Sequence, residues 1–247
     1  MSKPMDMLLV HGSWHGGWAW DGIAEALRAR GHHVLTPCLK GLGSDASNLR
    51  ADIGLHTHVA QLETLVLDEN LHGFILVGHS YGGALAHALE GRVADRLHAV
   101  VHLEGAIPFP GCAIIDLWDD DRRSTTLKAV AELGDGWRVP PPHPRVWGAL
   151  SEQQIAWLAP KLTEQSIKTY RETVPDDLPA ADCPHYYLFA HDREPQPYAA
   201  VIERFRPMPT WQIASTQGGH ELMFTNPDAV LNVVETATNK APLPETL

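Results

Sequence analysis

The sequence is poor in cysteine and has no long apolar run. Cys38, Cys112 and Cys183 are scattered without the C-x-x-C spacing of a redox or metal site. This usage favours a reduced, cytoplasmic setting, with the cysteines as small core or loop residues. No stretch approaches the roughly 18 apolar residues of a membrane helix, and the first residues lack the apolar segment of a signal peptide. We therefore expect no membrane partner.

Basic residues and metal-binding motifs are also scarce. Nineteen Lys and Arg face 30 Asp and Glu, so the net charge is −11. Because phosphate binding needs a positive face, a nucleic-acid partner is not expected. His56-x-His58 has no further ligands at metal spacing, and no H-E-x-x-H is present. The sequence predicts neither a metal nor another cofactor.

Apolar runs alternate with helix-like segments along most of the chain. Predicted strands cover 7–11, 33–37, 74–78, 97–105, 186–190 and 210–214, and predicted helices cover 21–30, 56–70 and the segments that follow Ser80 and Asn226. Continuous apolar strands that alternate with helices are typical of a parallel sheet covered on both faces. The predicted fold class is α/β, with a mostly parallel, doubly wound sheet.

One long segment interrupts this alternation. Residues 107–182 contain several proline clusters and the four tryptophans Trp118, Trp137, Trp147 and Trp157. We interpret this segment as a helical cap inserted into a core made of residues 1–106 and 183–240. Residues 241–247 are expected to form a loose tail.

The segment Gly78-His79-Ser80-Tyr81-Gly82 is a G-x-S-x-G motif that follows a predicted strand and precedes a predicted helix. Glycines on both sides of the serine would relieve the crowding of a strained strand-to-helix corner. Such a corner exposes the serine Oγ above the sheet, which makes Ser80 the candidate nucleophile.

A serine nucleophile needs a base and an acid that orients the base. Among 15 histidines, His220 stands out because it follows the last predicted strand on a glycine-bearing loop. Asp192 follows the penultimate strand and would complete the chain order Ser, Asp, His. Glu194, two residues further on, and Glu104, which ends the strand after the nucleophile, remain open as alternatives to Asp192.

The oxyanion of an acyl-transfer reaction needs two backbone donors. The N–H of Tyr81 follows the nucleophile and lies at the positive end of the next helix. The loop after the first strand, with the sequence His-Gly-Ser-Trp-His-Gly-Gly-Trp, would contribute the N–H of Ser13.

Together, these motifs resemble the α/β-hydrolase superfamily over essentially the whole chain. The segments LLVHGSWHGGWAW and LVGHSYGGAL resemble the group of plant methyl esterases and hydroxynitrile lyases, and bacterial pyrethroid-hydrolase-like carboxylesterases. The resemblance implies a metal-free serine hydrolase with an α/β-hydrolase fold and a triad of Ser80, Asp192 and His220.

Two positions favour an esterase over a lyase. Lyases of this group typically carry a threonine and a lysine where this sequence has Gly12 and Glu221. The lysine favours a leaving cyanide, and a glutamate would repel that anion. The predicted function is a serine carboxylesterase that cleaves small hydrophobic or aromatic esters through an acyl-enzyme. A hydroxynitrile lyase, a lactonase and a non-catalytic ligand-binding protein stay open, as does the oligomeric state, including a homodimer.

Overall fold

The computed structural model describes residues 3–176, 181–193 and 196–247. The strands of this part are β1 (Asp6–Val10), β2 (His33–Leu35), β3 (Phe74–His79), β4 (Leu97–Leu103), β5 (Arg138–Val139), β6 (Gln165–Ser166), β7 (His185–Ala190) and β8 (Trp211–Thr216). Six of them form one parallel sheet in the order β2-β1-β3-β4-β7-β8. The predicted parallel sheet is confirmed.

Helices fill the connections between the strands. They are α1 (Asp21–Ala29), α2 (Leu55–Asp68), α3 (Tyr81–Glu90), α4 (Asp120–Leu133), α5 (Glu152–Leu158), α6 (Lys168–Arg171), α7 (Ala199–Phe205), α8 (Leu222–Thr225) and α9 (Pro227–Thr238). The Asn226 side chain accepts a hydrogen bond from the N–H of Ala229, 3.3 Å away, and Pro227 occupies the first turn. This N-cap confirms the start of the last helix that the Asn-Pro pair predicts. None of the helices in the described ranges is long and apolar enough to cross a membrane.

The sheet buries both of its faces, as its continuous apolar strands predict. Along β1, Leu8 and Val10 join the apolar cluster with α2, α3 and α7, whereas Met7 and Leu9 join the cluster with α1 and α9. Successive side chains of a strand point to opposite faces, so an unbroken apolar strand requires helices on both sides. The carboxyl ends of all six strands meet at one edge, where the site lies.

The segment between β4 and β7 holds the antiparallel pair β5–β6 and the helices α4, α5 and α6. Its contacts converge on the loop after β1. Trp14 donates from its backbone N–H to Gln165 Oε1 (3.1 Å) and from its indole Nε1–H to the carbonyl oxygen of Val139 (3.1 Å). These contacts hold β5 and β6 against the loop after β1, at the carboxyl edge of the sheet, and the division into core and cap stays a prediction.

The C-terminal residues differ from the loose tail expected from the sequence. Glu245 accepts a hydrogen bond from the N–H of Ser215, and Leu247 donates its N–H to the carbonyl oxygen of Ser215, both at 2.9 Å. Ser215 also forms a parallel bridge with Thr246. Strand β8 lies at the edge of the sheet, so its unpaired backbone groups are available to pair with the tail.

Candidate active site

Ser80 lies at a sharp corner between β3 and α3. Its φ of 53° and ψ of −115° place it in a region that residues with a side chain rarely adopt. Its N–H donates to the carbonyl oxygen of Leu103 (3.1 Å), and its carbonyl oxygen accepts from Gly83 and Ala106 (both 2.9 Å). These bonds to the end of β4 and to its own helix hold the strained conformation in place.

The glycines around Ser80 are required by close backbone approaches. A Cβ on Gly78 would lie 2.3 Å from the carbonyl oxygen of Gly82, and a Cβ on Gly82 would lie 2.4 Å from that of Val10. Both glycines of the G-x-S-x-G motif are therefore required, because a side chain at either position would collide with the backbone. This agrees with the relief of crowding expected from the sequence.

His220 meets the serine from the loop after β8. Its Nε2 lies 2.9 Å from Ser80 Oγ, although the two residues are 140 positions apart in the chain. The loop is positioned by His79, whose Nε2–H donates to the carbonyl oxygen of His220 (3.0 Å), and by the cap, since the N–H of His220 donates to the carbonyl oxygen of Trp147 (2.8 Å). The sequence predicted this meeting of Ser80 and His220.

The carboxylate that contacts His220 belongs to Glu104, not to Asp192. Glu104 Oε2 lies 3.0 Å from His220 Nδ1, and the Glu104 side chain is fully buried at the end of β4. The physical reason is the strand order. Strand β4 lies directly beside β3, so the first residue after β4 is close to the nucleophile, while His220 reaches back across β7.

Asp192 has a different place. Its side chain is exposed, and its oxygens accept hydrogen bonds from the N–H groups of Gly218 (3.2 Å) and Gly219 (3.3 Å). Among the described contacts, Asp192 makes none with His220. Its hydrogen bonds instead hold the two glycines that precede the histidine. Glu194, the other alternative to Asp192, lies outside the described residues.

The two predicted oxyanion donors flank the corner. Tyr81 is the first residue of α3, and Ser13 follows Gly12 in the loop after β1. In the part of the chain that the structure describes, no oxygen accepts from the backbone N–H of Ser13 or of Tyr81. The first N–H groups of a helix have no intrahelical acceptor, so the Tyr81 N–H is available to a ligand.

Arg193 completes the group around Glu104. Its Nη1 donates to Glu104 Oε2 and lies 3.2 Å from His220 Nδ1. Burial raises the pKa of Glu104 to about 7, while Arg193 opposes this rise. Burial holds the pKa of His220 well below its usual value, and the positive charge of Arg193 lowers it further. The sequence reasoning missed Arg193, although its position directly after Asp192 is a signal that it reaches the same edge.

A second buried pair lies behind the histidine. Glu221 Oε2 and His15 Nε2 are 3.5 Å apart, and neither atom has a hydrogen-bond partner among the described residues. Burial raises the pKa of Glu221 to about 8 and lowers the pKa of His15 to about 4. Near neutral pH both groups are therefore largely uncharged. The charge repulsion expected between Glu221 and a cyanide anion is thus weak. The argument against a lyase is instead that this position holds no cation to stabilise a leaving cyanide.

His79, His220 and Glu221 also come close enough together for a metal ion to be considered. However, the two ring nitrogens of His220 face Ser80 and Glu104, and His79 Nε2 binds a carbonyl oxygen. A metal ligated by His220 would have to break its contact either with Ser80 or with Glu104. The absence of a metal remains a prediction.

Several aromatic rings form one connected group that reaches Tyr81, the residue after Ser80. The Tyr170 ring lies 6.1 Å from Tyr81, 6.2 Å from Trp14 and 5.0 Å from Trp118, and Trp14 lies 6.2 Å from Trp147. The cap contributes the buried Trp118 and Trp147 to this group, which we call the aromatic wall.

The cap tryptophans are not all equivalent. Trp157 is 46% exposed and packs against Trp18 and Phe224, outside the aromatic wall. Trp157 is therefore not part of the aromatic wall.

Sequence comparison agrees with the fold. Residues 7–233 match the model of the alpha/beta hydrolase family. The chain belongs to this family.

Named relatives identify the class of enzyme. The chain is 27% identical over 240 residues to a carbendazim hydrolyzing esterase from Nocardioides sp. (strain SG-4G), covering 90% of this chain and 95% of the relative. It is 34% identical over 113 residues to salicylic acid-binding protein 2 from Nicotiana tabacum, covering 44% and 42% of the two chains. Methylesterase 1 from Arabidopsis thaliana shows 35% identity over 109 residues, 43% of this chain and 41% of that protein. The predicted class, a carboxylic ester hydrolase, is confirmed.

Solved structures with the same fold include an extracellular alpha/beta-hydrolase from a Paenibacillus species, with a TM-score of 0.82 and 21% identity over 95% of this chain and 99% of that one. A pyrethroid hydrolase, PytH, has a TM-score of 0.76 and 17% identity over 96% and 98% of the two chains. At these identities the likeness concerns the fold.

Proposed function

We propose that the chain is a serine carboxylesterase whose catalytic triad is Ser80, His220 and Glu104. The observation that carries this proposal is the continuous line of contacts Ser80 Oγ–His220 Nε2 (2.9 Å) and His220 Nδ1–Glu104 Oε2 (3.0 Å). Nucleophile and base within hydrogen-bond reach, with the base oriented by a carboxylate, is the arrangement that activates a serine.

In this mechanism Ser80 Oγ attacks the ester carbonyl carbon while His220 Nε2 takes the hydroxyl proton. The N–H groups of Ser13 and Tyr81 bind the oxyanion that forms. Glu104 stabilises the imidazolium of His220 through Nδ1–H. The imidazolium then protonates the departing alcohol, which leaves an acyl-enzyme on Ser80. Water, deprotonated by His220, attacks the acyl carbon and releases the acid.

The substrate class that we propose is small hydrophobic or aromatic esters. Support comes from the aromatic wall, because large rings favour apolar acyl or alcohol groups by burial and by ring–ring contact. The net charge of −11 disfavours anionic substrates at long range.

A second candidate within the same chemistry is hydrolysis of a methyl carbamate. The observation that favours it is the likeness to a carbendazim hydrolyzing esterase over 90% of this chain. A carbamate differs from an ester only in the atom attached to the acyl carbon, so the same serine, base and oxyanion donors would act on it.

The test compares the wild type with Ser80→Ala and with Ser124→Ala, which removes an exposed hydroxyl from α4. The panel contains p-nitrophenyl acetate, methyl benzoate, a pyrethroid, carbendazim, a hexanoate ester with a carboxylate on the acyl chain, and mandelonitrile for cyanide release. A fluorophosphonate probe with mass spectrometry identifies the labelled serine.

We expect Ser80→Ala to lose about 10⁴- to 10⁶-fold in kcat together with probe labelling, and Ser124→Ala to keep both. Full esterase activity in pure Ser80→Ala would refute the mechanism. A preference for the charged ester would refute the substrate class, and cyanide release without ester cleavage would favour the lyase. Absence of both turnover and labelling in the wild type would favour a ligand-binding protein.

A further inference from the structure

The Arg193 guanidinium is the basic group that meets the buried carboxylate of Glu104. Arg193 Nη1 bonds Glu104 Oε2, the oxygen that also faces His220 Nδ1. The Arg193 side chain is 17% exposed, while Glu104 is fully buried. Among the described residues, no other Arg or Lys forms an ion pair with Glu104.

The remaining groups around Glu104 supply no positive charge. On β7, the N–H of Ala190 donates to Glu104 Oε1 (2.7 Å), and Tyr187 is a buried neutral phenol whose pKa is raised by burial and further by the carboxylate. From the loop after β7, Asp192 disfavours ionisation of Glu104, and on the loop after β8, Glu221 supplies no cation and would repel Glu104 when ionised. A carboxylate in such surroundings tends to hold a proton unless a cation is near.

The protonation state of Glu104 decides which ring nitrogen of His220 carries the proton. A carboxylate accepts from Nδ1–H, which leaves Nε2 free to take the proton of Ser80. A neutral carboxylic acid can instead donate its own proton to Nδ1. His220 then carries its proton on Nε2 and cannot act as a base toward Ser80.

We propose that Arg193 is a positioning residue that keeps Glu104 ionised, so that His220 stays in the reactive tautomer down to lower pH. This inference rests on the proposed triad, in which Glu104 is the acid. It assigns to the loop after β7 two separate roles, since Asp192 holds the glycines before His220 and Arg193 holds the charge of Glu104.

The sign of the expected pH effect is the same for both titrating groups. Without the cation, the pKa of Glu104 rises because its ionised form loses a partner. The pKa of His220 also rises, because the imidazolium is no longer repelled by a neighbouring positive charge. Protonation of either group stops the reaction, so removal of Arg193 moves the acidic limb of the pH–rate profile to higher pH.

The test measures kcat/KM of the wild type, Arg193→Met, Arg193→Gln and Arg193→Lys from pH 5 to 9.5 with p-nitrophenyl acetate, read at the isosbestic wavelength. The matched control is Arg206→Met, which removes the same charge from an exposed position just after α7. Thermal unfolding checks that each variant is folded. The two neutral variants have similar length but differ in polarity, so that one can replace the other if it does not fold.

We expect both neutral variants to shift the acidic limb upward by about one to three pH units, as for an opposite charge lost within 4–6 Å. Activity should recover toward that of the wild type as the pH rises above the shifted limb. Arg193→Lys should restore most of the profile, and Arg206→Met should leave it unchanged. A merely structural arginine would lower activity evenly at all pH values and leave the limb in place.

A second readout does not depend on turnover. In ¹⁵N-histidine NMR spectra, with His220→Gln used for assignment, the wild type should show a protonated Nδ1 well above pH 7. Arg193→Met should lose this state at a pH where the wild type keeps it.

An unchanged acidic limb together with an unchanged tautomer would overturn the inference, while Ser80-dependent turnover would leave the triad standing. Higher activity of Arg193→Met at every pH would also overturn the inference. It would mean that Arg193 competes with His220 for the hydrogen bond to Glu104. Turnover that survives in Ser80→Ala would refute the proposed function itself.

Discussion

Replacement of Glu104 by glutamine tests directly which acid orients His220. Glutamine keeps the size of the side chain, and its oxygen can still accept from the N–H of Ala190. Its NH₂ group would then face His220 Nδ1, 3.0 Å from the present Oε2. Because two donors would oppose each other, His220 would move its proton to Nε2 and lose its function as a base.

The size of the loss follows from the geometry. Opposite charges about 4 Å apart near a protein surface attract by about 4 kcal/mol, and this attraction to the imidazolium disappears with Glu104→Gln. Since about 1.4 kcal/mol corresponds to a factor of ten in rate, the electrostatic part alone amounts to about 10³-fold. With the unfavourable tautomer, the expected loss in kcat approaches the roughly 10⁴-fold known for an acid-to-amide change in a serine triad.

Asp192→Asn is the matched control, because it makes the same chemical change in the residue that the sequence favoured. The asparagine oxygen can still accept from Gly218 or Gly219, whose bonds to Asp192 are long (3.2–3.3 Å) and exposed. A hydrogen bond of this kind contributes about 0.5–1.5 kcal/mol. We therefore expect a loss of no more than about tenfold.

The assay is steady-state hydrolysis of p-nitrophenyl acetate at pH 8, with active-site titration by a fluorophosphonate and thermal unfolding of each variant. The assignment of Glu104 would be refuted if Glu104→Gln were folded and kept a tenth or more of wild-type kcat. It would also be refuted if Asp192→Asn lost as much as Glu104→Gln.

Two further predictions concern the surroundings of the triad. Gly12→Ala places a Cβ 2.8 Å from His79 Nδ1 and 3.2 Å from Ser80 Cβ. Because this contact would displace Ser80, we expect a loss of about 10²-fold in kcat/KM. Wild-type activity in that variant would contradict the reasoning. Glu221→Gln concerns stability: with a pKa raised to about 8, folded Glu221 keeps a proton that the unfolded chain releases above its ordinary pKa of about 4.3. Wild-type stability is therefore lost as pH rises from about 4.3 to 8, and the advantage of Glu221→Gln should grow across this range by up to a few kcal/mol and level off above it. Urea unfolding at pH 5, 6.5, 8 and 9 measures this difference, and a difference independent of pH would argue against a buried, protonated Glu221.

Local sequence patterns predicted most of the strands and helices and two members of the proposed triad, Ser80 and His220. The apolar run before Gly78 and the glycines around Ser80 predict a strand, a sharp corner and a helix, because period, length and steric need are all local properties. His220 was also predictable, since a loop after the last strand of a parallel sheet has to reach the edge where Ser80 lies. The strand predicted at 33–37 is shorter in the structure, His33–Leu35, as Pro37 has no N–H for the sheet.

The acid was not predictable in the same way. Asp192 and Glu104 both follow strands that end at the catalytic edge, so strand position alone does not separate them. Which of the two acids contacts His220 depends on which strand lies beside β3, and on the positions of Arg193 and of the glycines before His220 in the folded chain.

The amino-acid sequence by itself determined the sheet, the nucleophile and its base, because each depends on residues that are neighbours in the chain or on the common direction of parallel strands. Only the tertiary structure decided that Glu104 faces His220, that Asp192 binds the glycine loop and that Arg193 lies against the buried carboxylate. These contacts join residues from three separate strand ends, and a displacement of about an ångström would change their partners, which no local pattern encodes.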